Sequence, residues 1–156
     1  MAQVTTQKIT TFLWFDGAAE EAAELYTSVF ENSRIVSVMR AGGRVMSVTF
    51  ELAGQRFIAL NGGPHYKFTP AVSLFIACEG QKEVDRIWDA LLAGGGKPSQ
   101  CGWLEDKFGL SWQVIPTVLE KLIGDPDPDK SKRAVEAMMT MQKLDVAKLE
   151  RAHAGA

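Results

Sequence analysis

Few side chains in this chain could do chemistry. There are two histidines, His65 and His153, and two cysteines, Cys78 and Cys101. The cysteines do not form a C-x-x-C pair, and two are too few for a disulfide framework. They read as small apolar side chains, partly buried. His153 lies near the chain end and is expected to be exposed and idle. Ser73 and Ser111 have no histidine at a spacing that would make a nucleophile and its base. Cys101 has no activating partner visible in the sequence. A metal site built from His65 with Glu105 or Asp106 is disfavoured by their spacing.

Two loops complete the chemical inventory. Asn61-Gly62-Gly63-Pro64-His65 could let a ligand approach its backbone amides, because paired glycines reach positive φ. It could equally be a sharp linker turn. Asp106-Lys107-Phe108-Gly109 reads as a solvated turn rather than a catalytic dyad. Gly94-Gly95-Gly96 follows a helix pattern and there is no G-x-G-x-x-G, so a nucleotide-type cradle is not indicated.

The elements that must position these residues come twice. Ile9 to Phe15 is a buried-strand run. A helix follows, with Ala22, Leu25, Tyr26, Val29 and Phe30 on one face at a 3.6-residue period. Asp16, Glu20 and Glu21 suit its positive N-terminal end. Strands over 34–40, 44–52 and 55–60 are separated by Gly42-Gly43 and Ala53-Gly54 turns. After residue 64 the order begins again. Val72 to Cys78 is a strand, and the next helix carries Val84, Ile87, Trp88, Leu91 and Leu92, each 62 positions after its counterpart. The same shift lays 10–15 on 72–77. Shorter strands fit near 98–101, 103–106 and 111–115. A helical tail follows: 116–123, a helix opened by Asp127-Pro128 and running to about Gln142, and a last helix capped by Asp145 and running through Leu149. Met138, Met139 and Met141 give the second of these a stripe suited to packing on the core or on another subunit, or less simply to ligand contact.

Composition bounds the rest. The chain has 156 residues, 46% hydrophobic and 23% charged, with a formal charge of −2. That is one globular domain's worth of sequence, with no basic surplus for a nucleic-acid partner. No apolar run is long enough to span a membrane, and the first residues lack the apolar core of a signal peptide. The expected location is the cytoplasm.

Three segments resemble a known family: Lys8–Gly17 running into Ala-Glu-Glu-Ala-Ala-Glu-Leu-Tyr26, Ala59–His65, and Cys101–Pro116. Together they resemble the PhnB-like branch of the vicinal-oxygen-chelate superfamily, which includes glyoxalase and bleomycin-resistance proteins. Members of this branch are often labelled demethylubiquinone methyltransferase-like. The resemblance covers about residues 8–150. It implies an α+β fold in which two βαβββ modules curl into half-barrels, here with a C-terminal helical extension. The modules would span about 8–61 and 71–116, and the tail about 117–152, as a single domain. It also implies a homodimer.

In the metal-using relatives, one divalent ion sits in the concave pocket on ligands from the first and last strand of each module. It chelates two neighbouring substrate oxygens. Carried over one at a time, those positions fall at Thr10, at Ile58 or Ala59, at Val72 or Ser73, and at Gln113. None is an imidazole or a carboxylate, so no metal and no cofactor is expected.

A pocket on this scaffold would then be lined by Thr10, Phe12 and Trp14 from one strand, Trp112 or Gln113 from another, Trp103, and Asn61 and His65 at the rim. Aromatic walls with an amide suit a small aromatic or amphipathic ligand. Each tryptophan could instead be plain core. Gln113 could instead bond to backbone. The expected function is binding or sequestering of a small molecule. The alternatives are a lyase or isomerase of this superfamily, the methyltransferase activity of the family label, or a structural dimer whose cup is filled by Trp14, Trp103 and Trp112.

Overall fold

Ala53-Gly54 and Gly42-Gly43 do what their composition demands: each closes a hairpin at positive φ, and the strands they join form one twisted sheet. In the computed structural model, which describes residues 7–156, the order of elements is strand, helix, three strands, twice over. Residues 1–6, which carry most of the expectation about a signal peptide, lie outside the described residues. The chain divides into two compact units, Met1–Lys67 and Phe68–Ala156.

The first unit holds β1 (Thr11–Phe15), α1 (Ala19–Val29), β2 (Arg34–Ala41), β3 (Arg44–Leu52) and β4 (Gln55–Asn61). Its sheet runs β1-β4-β3-β2, with β1 and β4 parallel and the other pairs antiparallel. Side chains alternate across the pleat. Leu13, Phe15, Val48, Phe50, Phe57 and Ala59 are buried on the face that α1 covers with Ala22, Ala23, Tyr26 and Val29. Phe50 lies between Phe57, stacked at 5.5 Å, and Tyr26 at 6.2 Å. The helix has no capping side chain of its own. Asp16 does not serve; Asn61, at the end of β4, accepts the Ala19 amide at 2.8 Å instead.

The second unit repeats the plan with β5 (Ser73–Cys78), α2 (Gln81–Leu92), β6 (Lys97–Pro98), β7 (Trp103–Glu105) and β8 (Ser111–Pro116), in the order β5-β8-β7-β6. The helices obey the 62-residue shift, Ala19 matching Gln81. The first strands do not. Leu13 and Phe15 are buried in β1, whereas Phe75, 62 positions after Leu13, is 62% exposed. The inward-facing partners are the half-buried Ile76 and the buried Cys78, 63 positions on, because the β5–α2 connection is one residue shorter than the β1–α1 connection. A one-residue slip exchanges the two faces of a strand, so the 10–15 to 72–77 overlay is corrected by one.

The tail forms α3 (Val118–Ile123), α4 (Pro128–Met139) and α5 (Val146–Ala154). Asp127 caps α4 through the Asp129 amide at 2.9 Å, with Pro128 at the first helical position, as the sequence predicts. Asp145 caps α5 through Lys148 at 3.0 Å. That helix runs five residues beyond Leu149 to a Gly155 cap in the left-handed region. Leu119, Leu122, Ala134, Leu144 and Leu149 bury themselves on Ile115, with Met138 and Met141 packed around them. Each of these buried leucines is worth about 1.5–3 kcal/mol over exposure. Met139 points away and is exposed. His153 is not idle: its Nε2 lies 2.8 Å from Asp125 Oδ2, and its carbonyl accepts from Arg133.

Candidate functional site

The open face of the second sheet brings together what the sequence leaves scattered. Register places Gln113 beside Trp103 on one side and Phe75 on the other. Alternation puts all three on the face away from α2. The Gln113 side-chain amide donates to the Ser73 hydroxyl at 2.9 Å. Its carbonyl oxygen has no protein partner among the described residues. The next row of the same face reads Lys97, Glu105, Ser111 and Ser73 across β6, β7, β8 and β5. A cleft of about 250 Å³ opens there, lined by Pro70, Lys97, Pro98, Trp103, Glu105 and Ser111 among others. The site is therefore an amide between two aromatic rings, bordered by one cation, one anion and two hydroxyls.

Trp112 is the correction. It lies one residue from Gln113, so it points to the opposite face, where it is 2% exposed. Its indole N–H donates to Asp106 Oδ2 at 2.9 Å. Asp106 is likewise not a solvated turn residue. It is buried, and its Oδ1 accepts the Phe108 and Leu110 amides at 2.9 and 3.0 Å. A carboxylate bonded by three N–H groups can stay buried as an anion. The spacing Asp106-x-Phe108-x-Leu110-x-Trp112 carried that signal, since an Asx turn followed by an indole two residues later supplies all three donors.

The open face of the first sheet carries Phe12 beside Ile58 and Thr49, and Trp14 beside Leu60 and Ser47. Phe12 is 56% exposed. Thr10 lies one residue ahead of β1 and outside its ladder. Trp14 folds onto the loop that follows β4: its indole N–H donates to the Gly63 carbonyl at 2.9 Å, and Tyr66 meets its ring edge-on at 4.9 Å. A Cβ on Gly62 would stand 2.3 Å from the indole, which is why glycine is needed there. The loop is thus a clasp on Trp14. Asn61 is committed to backbone at both ends, accepting from Ala19 and donating to Val45 O at 3.1 Å. His65 stands exposed at the loop's far side.

A feature the sequence reading missed lies on this same face. Glu51 sits between Arg34 and Arg56, 3.2 Å from each. The Arg56 and Arg34 guanidinium groups hold its carboxyl below the usual carboxylate range. Only the strand register makes this ladder visible, through Arg34↔Glu51 and Glu51↔Arg56.

Parity also settles the transferred metal positions. Ala59 is buried against the helix side, which leaves Ile58 on the open face, and the 63-residue shift takes Thr10 to Ser73. The four positions are then Thr10, Ile58, Ser73 and Gln113: two hydroxyls, an aliphatic chain and an amide. That donor set does not fit a catalytic divalent ion. No group of three or more His, Cys, Asp or Glu side chains among the described residues is placed to hold one. Nor do the strand-to-helix turns fit a nucleotide-type cofactor: 16–18 and 79–80 hold one glycine each, and each sheet has a single parallel pair. Cys78 does not fit a nucleophilic role, since burial pushes its thiol up to about 12. Cys101 Sγ rests 3.7 Å from Met139 Sδ.

No helix is long and apolar enough to cross a membrane among the described residues. The family model for 3-demethylubiquinone-9 3-methyltransferase matches residues 7–115. Among curated proteins none matches the chain. A Bacillus cereus PhnB protein, described as a putative member of that family, is 40% identical, with a TM-score of 0.66 over 70% of this chain and 99% of its own. A Pseudomonas aeruginosa protein is 19% identical, with a TM-score of 0.57 over 71% and 98%. The Listeria monocytogenes fosfomycin resistance protein FosX, solved with Mn(II) and sulfate, is 14% identical, with a TM-score of 0.53 over 76% and 95%. The last two show the fold alone. The chain belongs to the PhnB-like 3-demethylubiquinone-9 3-methyltransferase family and has the glyoxalase/bleomycin-resistance fold of the vicinal-oxygen-chelate proteins, two βαβββ modules with added C-terminal helices.

Proposed function

We propose that this protein binds a small aromatic or amphipathic molecule on the open sheet faces without a metal ion, and holds or sequesters it. The observation that carries this is the row Trp103–Gln113–Phe75. An amide oxygen without a protein partner between two aromatic side chains offers one directed acceptor within an apolar wall. Taken by itself, the open face of the first sheet offers Phe12 and Ile58 as an apolar surface, with Trp14, Thr10 and His65 towards its rim. Trp112 and Asn61 act behind the site, the one in the core and the other as a helix cap. The modules and tail are taken to work as one domain in a cytoplasmic homodimer. Exposed Met39 and Val72 give a second copy apolar surface to cover.

The superfamily's lyase or isomerase chemistry is the weaker alternative, because the four transferred positions lack a ligand for the ion that drives it. The methyltransferase activity of the family name is disfavoured too, because the described strand-to-helix turns 16–18 and 79–80 hold one glycine each, which suits a nucleotide-type methyl donor poorly.

The test is an NMR titration of metal-stripped protein with a planar amphiphile, 8-anilinonaphthalene-1-sulfonate. The expected result is saturable shifts at the Trp103 indole and the Gln113 side-chain amide. Saturable binding that leaves both signals in place would overturn the proposal.

A further inference from the structure

The hairpin that presents Trp103 keeps three register pairs with β8 on its inner strand, but its outer strand is weakly held. β6 has two residues, its ladder to β7 has two pairs, and one of its residues, Pro98, has no N–H to give. The equivalent hairpin of the first unit has strands of eight and nine residues. The turn before Trp103 is strained as well: Cys101 has φ +57°, a region costly for a side-chain-bearing residue.

The tail supplies what the ladder lacks. The Cys101 and Gly102 amides donate to the Met141 and Gln142 carbonyls, both at 2.8 Å. The Gly102 carbonyl accepts from Val114 at 2.7 Å. A Cβ on Gly102 would stand 2.9 Å from Ile115 Cδ1 and 3.1 Å from Leu144 Cδ1, so the turn is seated directly on the tail's core. The segment that receives it is pinned from the other side. Gln81 at the start of α2 donates to Leu144 O at 3.0 Å and accepts from Val146 N at 2.7 Å, and Lys143 pairs with Asp85 at 2.9 Å. Segment 141–146 is therefore fixed between α2 and the turn, and the residue that leaves that turn is Trp103.

We propose that the C-terminal helices act as a brace that sets the position of Trp103, making Leu144 and Gln81 positioning residues for the binding face; its effect on ligand rests on the function proposed above. The family model ends at residue 115, ahead of all three helices. The Bacillus cereus protein matches 70% of this chain with 99% of its own. The brace is thus an addition to the matched modules.

The experiment uses the full chain labelled with 5-fluorotryptophan, read by ¹⁹F NMR and by amide exchange. In Leu144→Ala the Trp103 resonance is expected to shift and broaden. Exchange at Cys101 and Gly102 rises roughly tenfold, the scale of one lost hydrogen bond. Affinity for 8-anilinonaphthalene-1-sulfonate weakens severalfold, while the Trp14 resonance stays in place. Leu144→Met, which conserves volume, restores all three. Gln81→Ala is expected to move the same signals in the same direction and serves if Leu144→Ala fails to fold. Val48→Ala, a cavity in the first unit, leaves Trp103 unmoved. A Trp103 resonance and 101–102 exchange unchanged in folded Leu144→Ala or Gln81→Ala would overturn the brace. Unchanged dye affinity in Trp103→Ala, with the Leu144→Ala signals moved as expected, would instead remove the binding role and leave the brace standing.

Discussion

Gln113 and Ser73 face each other across the parallel pair β5–β8, and the amide of the first donates to the hydroxyl of the second at 2.9 Å. The family resemblance implies the second module's metal-ligand positions at Gln113 and at Val72 or Ser73. Here Gln113 and Ser73 bond to each other, and neither is ionisable near neutral pH.

Replacing Gln113 by alanine tests whether that amide serves ligand or fold. The side chain is half-buried and its one partner, a hydroxyl, can turn to water. Gln113→Ala is expected to change unfolding stability by about 1 kcal/mol or less. Dye affinity is expected to fall roughly tenfold, as for one lost directed bond. Urea unfolding and fluorescence titration of the same variant check both.

Asp106 is expected to behave in the opposite way, as a fold residue with no effect on binding beyond stability. In Asp106→Asn one oxygen becomes an N–H₂ group that cannot serve both the turn amides and the Trp112 indole. One buried donor loses its acceptor, at a cost of about 2–3 kcal/mol. Urea denaturation measures it. A loss well under 1 kcal/mol would show that the turn does not depend on the carboxylate.

Gly62→Ala should strike Trp14. The added methyl collides with the flat face of an indole already bonded to Gly63 O and packed on Tyr66. Overpacking of this kind costs about 1–3 kcal/mol. A red shift of the Trp14 emission, seen by difference against Trp14→Phe, reports the ring's release. An unshifted spectrum at full stability would mean that the loop does not clasp the ring.

Acid should loosen the tail through Asp125. Its carboxyl is held below the usual carboxylate range by the Asp127 amide and by His153. A lowered folded value means that its contribution is complete above the unfolded Asp value of about 4 and is lost as pH falls through the folded value. Exchange in α5 is therefore expected to speed up below about pH 4 in the native protein. Asp125→Asn should show no such step in that window.

Much of this was open to sequence reading because the hydrophobic period changes from 2 to 3.6 and back in each half. Ala22 through Phe30 and Val84 through Leu92 mark the two helices at one offset, and Asp127-Pro128 and Asp145 mark the tail's caps. What escaped was one residue. Helix offsets cannot reveal that Glu79-Gly80 is shorter than Asp16-Gly17-Ala18, yet that difference decides which side chains of β5 face outward. Phe75 was missed for that reason. Trp112 was misplaced for a related one: neighbours on a strand point opposite ways, and only the register of β7 on β8 says that Gln113 and Trp103 share a face. Asn61 and Glu51 have partners up to 42 residues away along the chain, fixed by pairing rather than by local pattern, whereas those of Asp106 lie within six residues and were legible in its spacing.

The most direct measurement is the affinity of the metal-stripped protein for the aromatic amphiphile, with and without equimolar Mn²⁺, Ni²⁺ or Zn²⁺. The account predicts one dissociation constant in all four conditions and a weaker one in Trp103→Ala. Binding that appears only with an ion, with that ion retained stoichiometrically through desalting, would contradict it.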